Sequence, residues 1–311
     1  NNYNPKYKAG QFYDLKSVID FIKSDNDADK IQLGDGKTHN YFPTSFYSLK
    51  VDKQQVLKSG LVPANMADSI VSEVDFKVGG TLLERNKIMV LDAIAHNDWK
   101  RPICFATTLP EENYLGLEKY FQTNGLVYEL TPIANNSSNS IEGRRIAADV
   151  MYDNVMHKFR WGNMGSGVYC DDNIRRMATD LRLESGLLAT ELIRENKKDS
   201  ALKVLNLVND SISEKSSPYD YYETMIVEGY YDVQAYDKAN KLSRKMFEAA
   251  TTWVTYLKTL APENQKNYEG EMNMNLQIMQ NLTYLAQSSN QKDLYKEYND
   301  KLQKLHEQGV I

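Results

Sequence analysis

Asp25-Asn26-Asp27-Ala28-Asp29 sets carboxylates at alternate positions, the spacing with which some sugar-nucleotide transferases hold a divalent cation. Oxygen ligands suit such an ion, but nothing nearby supplies a phosphate-binding surface, and a run of Asp and Asn is ordinary turn composition. Gly36-Lys37-Thr38 imitates the end of a phosphate-cradling loop. That motif needs a further glycine where Ile31 stands, and a helix afterwards that the pattern does not provide. Gly165-Ser166-Gly167 lacks both the G-x-S-x-G spacing of a nucleophile turn and its strand-turn-helix surroundings, so it reads as a domain hinge. Asp171 and Asp172 are adjacent, and adjacent helix residues do not face each other, whereas glycoside hydrolysis needs two carboxyl groups across a sugar. The pair therefore reads as a helix start. His39, His96, His157 and His306 stand apart from one another and from Cys104 and Cys170, so there is no zinc spacing, and neither a metal nor another cofactor is expected. The two cysteines form no disulfide framework and leave the redox compartment open. No catalytic residue is assigned.

The balance of the chain bounds the rest. Hydrophobic residues make up 41% and charged residues 25% of the 311 positions, ordinary for a globular protein with room for two cores. A net charge of -5 without any Lys/Arg block argues against a nucleic-acid partner, which requires a concentrated basic face. The longest apolar run, Ile88 to Ala95, is interrupted by Asp92 and is too short to cross a bilayer. Asn1-Asn2-Tyr3-Asn4-Pro5 reads as a linker that follows a processed or trimmed start. The 21 tyrosines serve half-buried packing or sugar stacking, with packing the default.

The elements that position these residues are organised around Asn97-Asp98-Trp99-Lys100-Arg101-Pro102-Ile103-Cys104-Phe105-Ala106. Pro102 lacks an N–H and is tolerated at the first residue of a strand, and the apolar run Ile103 to Ala106 after it predicts a central strand buried on both faces. Trp99 is expected to pack under a loop and Arg101 to pair with a carboxylate. Upstream, Asp14 opens an amphipathic helix bearing Leu15, Val18, Ile19 and Ile22. Strands are expected at Lys30 to Leu33 and Phe46 to Val51, and a helix from Asp52 to a stop at Gly60. Ser69 to Val78 alternates as a half-buried strand. Gly79-Gly80 leads into a helix running to Asn97, and Pro110 precedes a helix from Glu111 to Phe121 and a strand from Leu126 to Leu130. Successive strand-helix-strand units imply parallel pairing. Ligands of such sheets sit beyond the carboxyl ends of the strands, which makes Gly79, Gly80, Thr107 and Thr108 candidate binding residues. Glu111 and Glu112 would repel a phosphate there. A neutral sugar or peptide stays compatible, beside the plain reading of a loop leading into a helix.

Ala134 to Gly143 is a polar loop, and Asp149 is expected to cap a helix carrying Val150, Val155, Met156 and Phe159. Beyond Asp171 helices are expected near 172–195, 199–214, 220–231, 235–260, 264–288 and 291–307. Leu188, Ala189 and Leu192 followed by Ala201, Leu205 and Val208 has the small-and-apolar spacing of a tetratricopeptide hairpin. Val227, Tyr230, Ala239 and Met246 repeat it, as do Leu282, Leu285 and Leu294. The expected fold class is α+β. An N-terminal α/β domain with a small mixed sheet, residues 1–163, precedes an all-α stack of tetratricopeptide-like hairpins, residues 164–311.

Several ordered segments carry a resemblance: Tyr7-Lys8-Ala9-Gly10-Gln11, the helix from Asp14 to Ile22, Asn97 to Ile103, Tyr114 to Phe121, Asn124 to Tyr128 and Met151 to Met156. Together they resemble the C-terminal soluble region of a family of bacterial multi-spanning membrane proteins of unassigned function, similar in turn to protein O-mannosyltransferases. The resemblance implies a non-catalytic periplasmic domain that binds or positions an acceptor polypeptide or partner. It also implies anchoring at the inner membrane through the membrane-spanning part of the same parent protein, with a polypeptide or glycan as ligand. The rival readings are a free-standing carbohydrate-active enzyme and a purely structural assembly domain. Some bacteria carrying this family modify Asp-hydroxyl-apolar sites on exported proteins, and the resemblance thereby makes Ser69 and Ser211 candidate O-glycosylation sites. Asp199-Ser200-Ala201 matches too, but there a helix N-cap explains the aspartate.

Overall fold

The computed structural model describes residues 6–32, 34, 36–80, 83–136, 143 and 145–311. The chain divides into two compact units, Asn1–Ala147 and Ala148–Ile311. Among the described residues, the first carries all the sheet structure. β1 (Tyr13–Asp14) leads directly into α1 (Leu15–Ile22), because the Asp14 carboxylate accepts the Ser17 N–H and caps the helix. β2 (Ile31–Gln32) and β3 (Thr38–His39) form an antiparallel ladder; Leu33, the expected end of that first strand, lies outside the described residues. β4 (Phe46–Lys50) is followed by α2 (Lys53–Ser59), with Asp52 accepting the Gln54 and Gln55 N–H groups and Gly60 closing the helix at φ 77°. β5 (Glu73–Lys77) alternates as expected, Val74 and Phe76 turning inward. Its predicted first residues do not join it, since Ala64–Ser69 is a 3-10 turn.

α3 (Arg85–Ala95) is shorter than the expected helix, and residues 97–100 form a turn in which Asp98 and Trp99 take positive φ values of 49° and 56°. β6 (Cys104–Ala106), β7 (Phe121–Thr123), β8 (Val127–Leu130) and β9 (Arg145–Ile146) form a sheet in the order β6-β8-β7-β9. β6 is thus an edge strand, not the central one, and is not buried on both faces: Phe105 points inward while Cys104 is exposed. Pro102 explains this in part, because a residue without an N–H sits readily at a sheet margin. The strand at the centre of the other sheet, ordered β1-β4-β5, is β4. Among the described residues, parallel pairing is confined to β1 with β4 and β7 with β9. The β4–β5, β6–β8 and β7–β8 ladders are antiparallel, so the predicted parallel crossovers are not what joins these strands.

The expected helix from Glu111 to Phe121 is replaced by 3-10 turns at Glu111–Asn113 and Glu118–Tyr120. Leu115 and Gly116 between them adopt φ 60° and 77°, which no α-helix accommodates. The apolar residues that looked like a helix face instead feed an aromatic cluster, in which Phe121 and Tyr128 stack at 5.6 Å and Tyr114 meets both edge-on. Gly116 is required here for two reasons. Its φ suits glycine, and a Cβ would lie 2.2 Å from the Lys77 carbonyl oxygen at the end of β5. Gly116→Ala is expected to cost about 3 kcal/mol from strain and overpacking together; a urea midpoint equal to that of the parent protein would contradict this placement. One core, built on Leu15, Ile19, Tyr47, Val74, Leu91, Phe105, Leu117 and Ile133, draws residues from both the β1-β4-β5 and the β6-β8-β7-β9 sheets.

The second unit opens with α4 (Ala148–Asp153), which continues as a π-helical turn, Asn154–Lys158. Asp149 lies inside its first turn rather than at the cap. α5 (Asp172–Arg194), α6 (Lys198–Ser211), α7 (Glu223–Asp232), α8 (Tyr236–Lys258), α9 (Pro262–Asn267), α10 (Glu269–Ser288) and α11 (Lys292–Glu307) follow. Asp171 caps α5 through the Ile174 N–H. Asp199 again sits one residue inside, because α6 begins at Lys198. α5 packs on α6, α7 on α8 and α10 on α11, and α5–α7 and α8–α10 contacts link one hairpin to the next. The same turn joins each hairpin. Asn196, Gln234 and Asn290 take φ values of 60°, 63° and 58°. The following N–H then reaches back to a carbonyl near the helix end, as in Lys197 to Leu192, Ala235 to Tyr230 and Gln291 to Ala286. Glycines permit the close approaches: a Cβ on Gly229 would meet Leu205 at 3.0 Å. This is the stack of helices that the small-and-apolar spacing predicts, and Leu188, Leu192, Ala201, Leu205, Val227 and Met246 are all fully or almost fully buried in it.

Candidate functional site

Among the cavities of the sheet-bearing unit, one of about 700 Å³ is large enough for a drug-sized ligand. Its lining comes from segments distant in sequence: Tyr7 and Lys8, Ile31 and His39 of the β2–β3 ladder, Asn40 to Ser45, Phe46 and Tyr47 of β4, and Val78, Gly79 and Gly80 beyond β5. Aromatic contacts fix the walls. Tyr7 lies 4.7 Å from Tyr13 and 6.0 Å from Phe21, which meets Tyr41 edge-on at 5.5 Å. Phe12 meets Phe46 edge-on at 5.6 Å, and the Lys77 ammonium sits 5.3 Å from the centre of the Phe46 ring. The Tyr13 hydroxyl accepts the Lys8 N–H at 2.7 Å and so holds the amino-terminal segment against the wall. Asn40 donates to the Ile22 carbonyl at the end of α1.

Tyr47 donates its phenol to the Thr44 carbonyl at 2.7 Å, and burial raises that phenol far above its ordinary range. Tyr7 is raised too, first by burial and then by the neighbouring Tyr41. Both rings are therefore neutral hydrogen-bonding surfaces at any physiological pH. Among the described residues the lining holds no carboxylate, so it presents neither the carboxyl pair of a glycosidase nor a hard-cation site. What it can do is stack on flat or apolar faces and hydrogen-bond to neutral polar groups.

The candidate residues fall in different places. Gly79 and Gly80 line this cavity. Thr107 and Thr108 follow β6 in the other sheet, where the Thr107 N–H and hydroxyl both reach the Leu126 carbonyl and the Thr107 carbonyl accepts from Tyr114; they do not line it. Ser69 ends the 3-10 turn and is exposed, and Ser211 is the last residue of α6 and half-buried. The Asp25–Asp29 run forms a turn in which Asn26 caps Asp27–Asp29 and Lys30 reaches Asp27. Trp99 packs as expected, 8% exposed, with its indole N–H donating to the Lys50 carbonyl at 2.8 Å. Arg101 makes no ion pair among the described residues. It is held through its backbone instead, since Asn97 accepts its N–H and donates to its carbonyl.

Tyr7, Tyr41 and Phe46 are not among the candidate binding residues read from the sequence. Their abundance class was visible in the 21 tyrosines, but only the folded chain gathers them. A second polar centre was equally hidden: the buried Arg145 guanidinium on β9 donates to Gln122 and Thr131. Burial lowers Arg145 to about 10, while nearby Glu129 is raised by its own burial.

No helix among the described residues is long and apolar enough to cross a membrane. Neither the curated proteins nor the solved structures contain a significant match to this chain. Residues 1–150, which include every residue lining the cavity, match the family described as TMEM260-associated domain 2, so the sheet-bearing part of the chain is similar to a domain that accompanies a membrane protein.

Proposed function

We propose that this protein is a non-catalytic accessory region of a glycosyltransferase-like membrane protein, held on the periplasmic side, and that its aromatic cavity binds and positions an acceptor polypeptide. The observation that carries this reading is the cavity itself. It lies within the matched residues 1–150, it is walled by Tyr7, Tyr41 and Phe46, and its described lining has no carboxylate. Such a lining holds an extended segment by ring contacts and neutral hydrogen bonds without acting on it. The resemblance to mannosyltransferase-like membrane proteins supports the choice of an acceptor peptide.

The test is a titration of the isotopically labelled chain with a Ser/Thr-rich peptide, unmodified and mannosylated, followed by amide NMR shifts. Shifts are expected at Phe46, Gly79 and Gly80, and Tyr41→Ala should weaken binding about tenfold. Saturating peptide that moves none of these amides would overturn the reading. Shifts produced equally by free mannose would reassign the cavity to a glycan.

A further inference from the structure

In the helical unit a separate groove of about 560 Å³ runs between α6, α7, α8 and the segment joining α6 to α7. One wall is a row of ammonium groups. Lys238, Lys241 and Lys245 fall at i, i+3 and i+7 of α8 and share one helix face, and Lys215 of the connecting segment adds a fourth. Lys241, Lys245 and Lys215 make no ion pair within the described residues. This distinguishes them from Arg244 of the same helix, which is already bound to Glu297. The facing wall is amide-rich: Asn206 and Asn209 lie one turn apart on α6, and the Asn206 side-chain Oδ1 accepts from both Lys238 and the Tyr230 hydroxyl. That network fixes the groove in advance of any ligand.

Charge and spacing define the occupant. Three carboxyl groups, those of Asp210, Glu214 and Glu223, line the groove beside the four lysines, an arrangement that opposes a compact polyphosphate but suits a chain offering carboxylates and N–H donors together. Burial raises the Glu223 carboxyl above its ordinary range, and the buried Arg182 guanidinium lies 3.1 Å from it, both of which reduce the negative charge it presents to the wall. Lys241 and Lys245 are separated by about 6 Å along the helix axis. Side chains on one face of an extended peptide recur every second residue, at about 6.6 Å. We propose that this groove binds an extended acidic peptide segment with carboxylates at alternate residues, pairing successive carboxylates with Lys241 and Lys245.

The experiment is fluorescence anisotropy of a fluorescein-labelled Gly-Glu-Gly-Glu-Gly-Glu-Gly peptide with the full 311-residue chain. Saturable binding is expected, weakened about tenfold or more by Lys241→Gln with Lys245→Gln. Lys258→Gln with Lys266→Gln, at exposed lysines that do not line the groove, should leave it unchanged. The reversed pair Lys241→Glu with Lys245→Glu should instead take up the corresponding Gly-Lys peptide. Equal losses in both neutral double variants would show diffuse charge attraction and overturn the proposal. So would equal binding of a Gly-Gln peptide, or groove-dependent binding of inorganic tripolyphosphate with none of the acidic peptide.

Discussion

Arg182→Ala is expected to cost the helical unit about 3–5 kcal/mol, the usual consequence of removing one member of a buried charged network. Arg182 has no solvent exposure. One guanidinium nitrogen donates to the Ser217 hydroxyl at 3.2 Å, the Pro218 carbonyl at 2.9 Å and Asp220 at 3.3 Å, and the other donates to the Ser217 carbonyl at 2.9 Å. Its Nε lies 3.1 Å from Glu223 but off the line of a hydrogen bond. This single side chain therefore fixes the path of the chain from α6 into α7, and truncation orphans the carbonyls it holds. The loss also depends on pH. Glu223 is raised from 4.5 to about 8 in the folded state, first by burial, which Arg182 opposes. A carboxyl whose folded pKa is raised favours the folded state while it is protonated, so stability falls as pH rises from about 4.5 to about 8. Without Arg182 the charged form has lost its partner, and urea unfolding of Arg182→Ala should show a greater deficit at the upper end of that range than at the lower. Adding Glu223→Gln should recover part of the deficit. A midpoint that neither drops nor gains pH dependence would show that the guanidinium is not holding this segment.

Trp99→Ala should destabilise the sheet-bearing unit by about 3 kcal/mol or more. The indole is 8% exposed, ties the turn after α3 to the Lys50 carbonyl across the sheet, and borders a small cavity of about 220 Å³ that truncation would enlarge. Trp99→Phe keeps one ring in the core but loses the N–H and part of the indole packing, so its cost should be smaller, about 1–2 kcal/mol. A thermal midpoint for the alanine variant within about one degree of the parent would mean that the ring contributes nothing to the core.

Local chemistry was legible wherever one short segment decides the outcome. Asp14 and Asp52 cap helices because a carboxylate finds an N–H two or three residues on, and Val74 and Phe76 alternate because the pleat demands it. The long helices beyond Asp171 carry enough periods for their faces to be read directly. The helix expected from Glu111 to Phe121 failed because Leu115 and Gly116 take positive φ in its middle, and Leu115 is a residue type that gives no sign of that conformation in the sequence. Strand pairing failed for a different reason: β1 pairs with β4, and β7 with β9, across intervening segments whose closure no local pattern reports. The aromatic cavity shares that origin. Gly79 and Gly80 were reachable as a chain turn beyond a strand, whereas Tyr7 and Tyr41 become neighbours of it only through the tertiary fold. The lysine face of α8 is, by contrast, present in the spacing of 238, 241 and 245, although no run of more than two adjacent basic residues marks it.

The recurring turn at Asn196, Gln234 and Asn290 has a consequence for how the chain can change over evolutionary time. Each hairpin is closed by its own backbone geometry rather than by a partner elsewhere, so its two helices keep their registration whatever follows them. Insertions and deletions are then tolerated most easily as whole hairpins, or as extra length at the far ends of helices, where α8 already runs on to 23 residues. Lineages carrying this architecture should vary in the number of hairpins while conserving the turn, and the length of the helical unit should grow in steps rather than continuously.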